Sequence, residues 1–310
     1  MKQLGRDRHR AVARARIGAL VAGLLVVAGC GGGQGSGSTA PGAEPAVVRR
    51  QVKVENTERM YRLYTPPDSE SEGPVPLVLA LHGSYNSVDS FVDASEFDDA
   101  ASANGFIVAY PEALGLVWNG GFCCTSGRGS AAIDISFLDR VIADVAAVRR
   151  IDLRRVYAVG FSAGGVMAYR LGCDLAERLA GVAAVAGAMV LDDCHPSRPV
   201  PVIAIHGTAD GVVPYEGGRI QGGATRPAPP ATAVIDRWAT LNGCPGADAP
   251  QVRGTVTLAT WTGCADGSRA QLVTVEGGGH NWFLPVYGPP NGAIDATRTI
   301  VEFLGLARRR

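Results

Sequence analysis

Short apolar runs that alternate with helical patterns restrict the folding of this 310-residue chain more than any other feature. The run 76–81 (PLVLAL) is apolar throughout, as expected for a strand buried on both faces of a sheet. Residues 133–148 instead carry apolar side chains at intervals of three and four, which predicts a helix. Strands that alternate with helices form a mostly parallel sheet with helices on both faces. The pattern therefore predicts one α/β domain.

The remaining elements follow from the same periodicities, without an internal repeat. Further strands are expected at 52–54, 60–64, 107–110, 156–159, 182–185, 202–205, 255–261 and 271–275. Further helices are expected at 94–103, 163–171, 231–241 and 294–306.

The first 29 residues have the pattern of an export signal, because a basic stretch precedes an apolar run too short to span a bilayer comfortably. Small residues precede Cys30, and the arrangement resembles a bacterial lipobox, in which this cysteine becomes the lipid-bearing N-terminus. An ordinary secretory signal is the alternative. Residues 30–46, rich in Gly, Ser, Pro and Ala, predict a flexible tether. The folded domain is expected at 47–310, on the outer face of the bacterial cell membrane or secreted.

Cysteine usage supports export, since an even set of cysteines outside the cytoplasm indicates disulfides. Cys244 and Cys264 bracket a short segment and are expected to pair. Three pairings remain open for the other four, Cys123, Cys124, Cys173 and Cys194. A metal site is not expected, because the chain has no C-x-x-C and no histidine at ligand spacing from these cysteines.

Charge argues against a nucleic-acid partner. The formal net charge is +0, and beyond the signal the only basic run is 308–310. A nucleic-acid binder needs a basic face, and the sequence predicts none. It indicates no oligomeric state.

Residues 160–164, Gly-Phe-Ser-Ala-Gly, fit the pattern G-x-S-x-G between a predicted strand and a predicted helix. The pattern alone is weak in a chain with 41 glycines, but strand–turn–helix is the setting that a nucleophile elbow requires. Ser162 is therefore predicted to be a nucleophile. The backbone N–H of Ala163, at the start of the helix, is predicted to face a developing oxyanion.

A serine hydroxyl needs a base, and His280 is the best candidate. It follows three glycines just past a predicted strand, and such a strand end can bend to bring one side chain back over the sheet. His82 and His206 each end a buried strand and are interpreted as structural, whereas His195 lies in a polar turn.

The orienting acid is expected between the serine and the histidine, in the order Ser…Asp…His. Asp210 follows the predicted strand 202–205, whereas Asp192 and Asp193 have no buried strand directly before them. The second oxyanion donor is expected in the loop after 76–81, as the backbone N–H of Ser84 or Tyr85.

Six motifs occur in a specific order: LHGS, WNGGFCC, AAIDISFLDRV, GFSAGG, HGTADGVVPYEGG and GGGHNW. Together they resemble the secreted serine esterases related to poly(3-hydroxybutyrate) depolymerases and feruloyl or acetyl-xylan esterases, a group like carbohydrate esterase family 1. With its lipobox the chain resembles actinobacterial esterase lipoproteins. The resemblance implies an α/β-hydrolase fold with Ser162, Asp210 and His280 as the triad. Two departures affect the substrate pocket: Phe283 stands where the family usually has proline, and HGSYNS lacks the usual Cys-Gly or Gly-Gly.

The expected activity is hydrolysis of carboxylic esters through an acyl-enzyme, with no metal or organic cofactor. Only 48 positions separate Ser162 from Asp210, which leaves little room for a large lid and suits a bulky or polymeric ester. Trp118 and Trp282 are expected to line the opening. Alternatives are acyl transfer to an alcohol by the same residues, peptide hydrolysis, or a non-catalytic surface-binding lipoprotein on a hydrolase scaffold.

Overall fold

The computed structural model describes residues 46–308, except 68, 72, 122–130, 223, 225 and 285–293. The predicted signal segment, Cys30, the tether before Ala46, Cys123 and Cys124 lie outside the described residues. None of the helices in the described part of the chain is long and apolar enough to cross a membrane.

The described elements alternate much as the apolar pattern predicts. The strands are β1 (Ala46–Val54), β2 (Thr57–Thr65), β3 (Val75–Leu81), β4 (Ile107–Pro111), β5 (Ile151–Phe161), β6 (Gly181–Val185), β7 (Val202–Gly207), β8 (Gln251–Arg253), β9 (Val256–Trp261) and β10 (Ala270–Val275). The α-helices are α1 (Val88–Ser95), α2 (Phe97–Asn104), α3 (Ala131–Val148), α4 (Ala163–Asp174), α5 (Ala231–Leu241) and α6 (Ala296–Phe303).

All ten of these strands join one sheet in the order β1-β2-β4-β3-β5-β6-β7-β10-β9-β8. The six strands from β4 to β10 in that order are parallel to one another. On one side of them β2 pairs antiparallel with β4 and β1 pairs antiparallel with β2, and on the other side β9 pairs antiparallel with β10 and β8 with β9. The prediction of a mostly parallel sheet is confirmed.

Strand β3 shows why helices cover both faces. Leu77, Leu79 and Leu81 belong to the core cluster that includes side chains of α3, α4 and α5. Val78 and Ala80 point to the opposite face, where the second cluster includes side chains of α1, α2 and α6. Because successive side chains of a strand alternate between faces, a run that is apolar throughout needs a helix layer on each side.

One predicted helix is two helices. The predicted helix 94–103 includes Glu96, which has a φ of 53° and is therefore not helical. Glu96 ends α1, and its N–H donates to the Val92 carbonyl. The chain then starts α2 at Phe97 in a new direction. Apolar spacing does not reveal this break, because Phe91 and Phe97 are both buried in the same core cluster.

Two disulfides lie among the described residues. Cys244 is bonded to Cys264, the pair that the sequence indicates. Cys173, near the end of α4, is bonded to Cys194 in the segment between β6 and β7. The sequence leaves three pairings open for the four remaining cysteines, and this bond shows that Cys173 pairs with Cys194.

The described chain enters at one edge of the sheet, and the serine motif lies at the other. Ala46 pairs with Thr65 at the end of β2. Tyr64, beside it, pairs with Val108 near the start of β4, so Ala46 lies at the edge where the parallel strands begin. Ser162 follows the last residue of β5, at the edge where those strands end.

Candidate active site

Ser162 occupies a tight turn between β5 and α4, with a φ of 52° and a ψ of −117°. The turn leaves no room for side chains on either side of it. A Cβ atom at Gly160 would lie 2.1 Å from the carbonyl oxygen of Gly164, and a Cβ atom at Gly164 would lie 2.1 Å from that of Leu81. The two glycines therefore allow the close approach of α4 to β3 and β5 that exposes the serine hydroxyl.

His280 reaches the serine from the segment after β10. Its Nε2 lies 3.0 Å from the Oγ of Ser162, and its Nδ1 lies 2.8 Å from Oδ2 of Asp210. The ring lies beside Phe161, with centroids 5.0 Å apart. The structure therefore brings together the three residues that the sequence selects, in one chain of hydrogen bonds.

Asp210 is buried and accepts hydrogen bonds on both carboxylate oxygens. Its Oδ1 accepts from the N–H groups of Val212 and Val213, each at 2.8 Å. Its Oδ2 faces the imidazoles of His280 and His206, at 2.8 Å and 3.3 Å. Burial alone would raise the pKa of Asp210, but the hydrogen bonds from the two histidines and from Val213 hold this pKa well below its ordinary value. The carboxylate is thus kept ionised beside His280.

His206 contacts the site in a way that the sequence analysis missed. Its Nε2 lies 2.8 Å from the carbonyl oxygen of Val213 and 3.3 Å from Oδ2 of Asp210. Both partners are acceptors, so Nε2 carries the proton and donates to them. The sequence signal for this contact is the position of His206, which lies near the end of β7 and four residues before Asp210 in HGTAD.

Of the two N–H groups predicted as the second oxyanion donor, the structure rules out one. The N–H of Tyr85 donates to the carbonyl of Leu116 at 2.8 Å, so it is not free to bind an oxyanion. Among the described residues, no hydrogen bond uses the N–H of Ser84. Ala163 opens α4, where the first N–H groups have no acceptor within the helix. Ser84 and Ala163 are therefore the two candidate donors.

A buried histidine holds the loop that carries Ser84. His82 donates through Nδ1 to the carbonyl of Gly83 at 2.7 Å, and its Nε2 accepts from the N–H of Ala113 at 3.0 Å. Burial lowers the pKa of His82, which favours the neutral ring that can make both bonds. In a trans peptide the N–H points away from the preceding carbonyl, so fixing the Gly83 carbonyl also fixes the Ser84 N–H.

The two tryptophans do not line the opening, contrary to expectation. Trp118 is 1% exposed, and its indole N–H donates to the carbonyl of His82 at 2.9 Å. Trp282 is 5% exposed, and its indole N–H donates to Oγ1 of Thr297 at 2.9 Å. Each large ring is buried because its one polar atom has a partner inside the protein.

A cavity of about 350 Å³ opens over Ser162 and His280. Aliphatic side chains of Val166, Val213 and Ile220 form one wall and belong to a small apolar cluster of their own. Among the described lining residues there is no Asp, Glu, Lys or Arg. The cavity therefore suits an uncharged group next to the serine.

The wall with Val213 and Ile220 comes from the segment between β7 and α5. Within this segment, Gly218 and Ala228 pair through a short antiparallel bridge. The short interval between Ser162 and Asp210 predicts little room for a lid, but the segment that shapes this wall follows Asp210.

Known esterases are similar to this chain in sequence and in fold. Residues 59–198 match the family model described as Esterase PHB depolymerase. NocK of Nocardia uniformis subsp. tsuyamanensis, a protein named as an esterase, is 31% identical over 290 residues, which cover 85% of this chain and 84% of that protein. The chain belongs to the esterase PHB depolymerase family.

A further sequence relative and a solved structure are also esterases. Feruloyl esterase B of Piromyces equi is 31% identical over 226 residues, which are 69% of this chain and 41% of that protein. The acetyl xylan esterase from Aspergillus awamori superposes with a TM-score of 0.60 at 15% identity, over 84% of this chain and 100% of that one. That similarity shows the α/β-hydrolase fold. The protein is a carboxylic ester hydrolase, and the family resemblance read from its motifs is confirmed.

Proposed function

We propose that this esterase works through an acyl-enzyme formed on Ser162. His280 is the general base, and the carboxylate of Asp210 orients its imidazole. One observation carries the proposal. Ser162 Oγ is hydrogen-bonded to His280 Nε2 at 3.0 Å, and His280 Nδ1 is hydrogen-bonded to Asp210 Oδ2 at 2.8 Å. Ser162 and His280 both line the cavity. This is the arrangement that activates a serine hydroxyl.

The reaction proceeds in two halves. His280 Nε2 takes the hydroxyl proton while Ser162 Oγ bonds to the ester carbonyl carbon, and the oxyanion accepts hydrogen bonds from the N–H groups of Ala163 and Ser84. The carbon–oxygen bond to the alcohol breaks, and His280 passes its proton to that alcohol. Water then gives a proton to His280 and bonds to the acyl carbon. The bond between that carbon and Ser162 Oγ breaks, and His280 returns its proton to Oγ, which releases the acid and restores the serine hydroxyl. Asp210 stabilises the imidazolium in both halves.

The substrates we propose are neutral esters of the poly(3-hydroxybutyrate), feruloyl or acetyl-xylan type. The uncharged, partly aliphatic lining of the cavity supports a neutral ester. The names of the relatives, feruloyl esterase B and acetyl xylan esterase, support the same range.

The test compares Ser162→Ala with wild type on a short p-nitrophenyl ester. We expect kcat to fall by at least about 10³-fold, because removing the nucleophile leaves only binding and the oxyanion donors. Ser84→Ala is the matched control, since the role proposed for Ser84 uses its backbone N–H, and its activity should stay close to that of wild type. A mass increase equal to the acyl group, seen on wild type but not on Ser162→Ala, would identify the acyl-enzyme. Equal rates for Ser162→Ala and wild type would refute the proposal.

We also propose that the protein is exported and held at the outer face of the cell membrane by lipid on Cys30. The lipobox-like residues before Cys30 and the two disulfides support this proposal. Cys30→Ser should move the protein from the membrane fraction to the soluble fraction. If the variant stays in the membrane fraction, the anchor is not at Cys30.

A further inference from the structure

Tyr85 is a large exposed side chain on a backbone with an unusual conformation. It is 72% exposed, although it is a large aromatic residue. Its φ is +60°, in the left-handed region that non-glycine residues seldom adopt and that is a marked outlier for a bulky one. A residue held in this conformation costs stability, and such outliers cluster at sites of function.

The backbone of Tyr85 is held in place on both sides. Its N–H donates to the Leu116 carbonyl at 2.8 Å, and the N–H of Asn86 donates to the Gly83 carbonyl at 3.3 Å. The side chain, in contrast, stacks against no aromatic ring among the described residues. The fold thus fixes the base of the side chain and leaves its ring open to solvent.

Tyr85 belongs to the loop beside Ser162. Tyr85 lines the same cavity as Ser162 and His280. Its loop is close to the serine, since a Cβ atom at Gly83 would lie 3.5 Å from the Cβ of Ser162. An exposed aromatic face at this position binds best to another flat, weakly polar face, such as an aromatic or sugar ring.

We propose that Tyr85 determines substrate specificity by providing the surface on which a ring of the ester packs beside the scissile bond. This inference rests on the proposed esterase function and narrows its substrate to ring-bearing esters. The ring belongs either to the acid, as in a feruloyl ester, or to the alcohol, as in an acetylated sugar. Tyr85 acts through its side chain, whereas Ser84 supplies the oxyanion donor from the same loop.

Three esters test the proposal: methyl ferulate with a ring in the acid, benzyl acetate with a ring in the alcohol, and methyl butyrate without a ring. For Tyr85→Ala we expect kcat/KM to fall about 5- to 10-fold on at least one ring-bearing ester, and less than about 2-fold on methyl butyrate. Tyr85→Phe keeps the ring and should stay within about 2-fold of wild type on all three. The ester that loses most shows which side of the bond faces the ring.

A stability measurement separates this role from a structural one. Asn tolerates a left-handed backbone better than Tyr, so Tyr85→Asn should unfold at the same temperature as wild type or higher while losing activity on the ring-bearing ester. Equal losses on all three esters, a Tyr85→Phe variant as impaired as Tyr85→Ala, or a clearly less stable Tyr85→Asn would each overturn the proposal. Wild type that hydrolyses none of the three esters would contradict the esterase function itself.

Discussion

Asp210 shows how the environment of one residue sets its chemistry. Four donors surround its carboxylate: two backbone N–H groups on Oδ1 and two imidazoles at Oδ2. They overcome the effect of burial and lower its pKa, so the native state favours the ionised form more than the unfolded chain does. Stability must therefore depend on this group in a predictable pH window.

Because the folded pKa of Asp210 lies below its unfolded value, the stabilisation is present above about pH 4 and is lost as the pH falls towards the folded pKa. We expect Asp210→Asn to be less stable than wild type at pH 7, with a difference that shrinks below about pH 4. Denaturant unfolding between pH 3 and pH 7 measures this, with Asp193→Asn, whose side chain is 92% exposed, as the control. A difference that stays constant or widens in acid would contradict the assignment.

His206 offers a second prediction at this scale, because its Nε2–H points at the acid rather than at the substrate cavity. His206→Leu should lower kcat by on the order of 10-fold with little change in KM, since a hydrogen bond to a charged group contributes about 1.5–3 kcal/mol. His206→Gln, which keeps an N–H donor, should recover most of this loss.

Rescue by a donor distinguishes positioning from mere packing. If His206→Gln and His206→Leu are equally impaired, His206 only fills space.

Among the elements, the turn between β5 and α4 depends most on close packing. Gly164 touches the carbonyl end of β3, and a Cβ there would lie 2.1 Å from the Leu81 oxygen and 2.7 Å from that of His82. Both contacts are backbone atoms of a central strand and its exit, which cannot move without shifting the loop that carries Ser84. Helix position and oxyanion loop are thus coupled through one glycine.

Gly164→Ala should therefore destabilise the protein by at least about 3 kcal/mol and remove activity, because overpacking against backbone cannot be relieved by a side-chain rotation. Thermal unfolding and p-nitrophenyl ester hydrolysis measure the two effects. Gly246→Ala is the control, since a Cβ at Gly246 would meet no heavy atom within 4 Å and should change stability by less than about 0.5 kcal/mol. Similar stabilities for the two variants would contradict this account of the turn.

At the scale of the whole molecule, the first described residue and the candidate active site lie at opposite edges of the sheet. Ala46 lies at the edge where the parallel strands begin, and Ser162 lies at the edge where they end. A tether that leads from Ala46 to a surface thus attaches at the side of the sheet remote from the serine.

Attachment through the N-terminus should therefore leave the site accessible to substrate. We expect the domain, captured on vesicles by an affinity tag placed before Ala46, to keep kcat/KM for a soluble ester within about 2-fold of the free domain, because none of the described residues that line the cavity lies at that edge. A loss of more than tenfold on capture would show that the surface approaches the catalytic edge.

Much of this protein follows from local patterns alone. Runs such as 76–81 specify strands buried on both faces, and parallel strands bring the residues after their carboxyl ends to one edge. That is why the sequence predicts a site of Ser162, Asp210 and His280, each just beyond a strand, and in the structure His280 lies within 3.0 Å of the other two.

Other features depend on contacts between distant segments. The Tyr85 N–H donates to Leu116, the Trp282 indole donates to Thr297, and His206 shares an oxygen of Asp210 with His280. Periodicity and motifs report the conformation and burial of a stretch of chain, but the acceptor of a particular N–H is supplied by another part of the fold. The tertiary structure alone therefore decided which N–H of the loop after β3 is free, which aromatic side chains are buried, and which one is exposed.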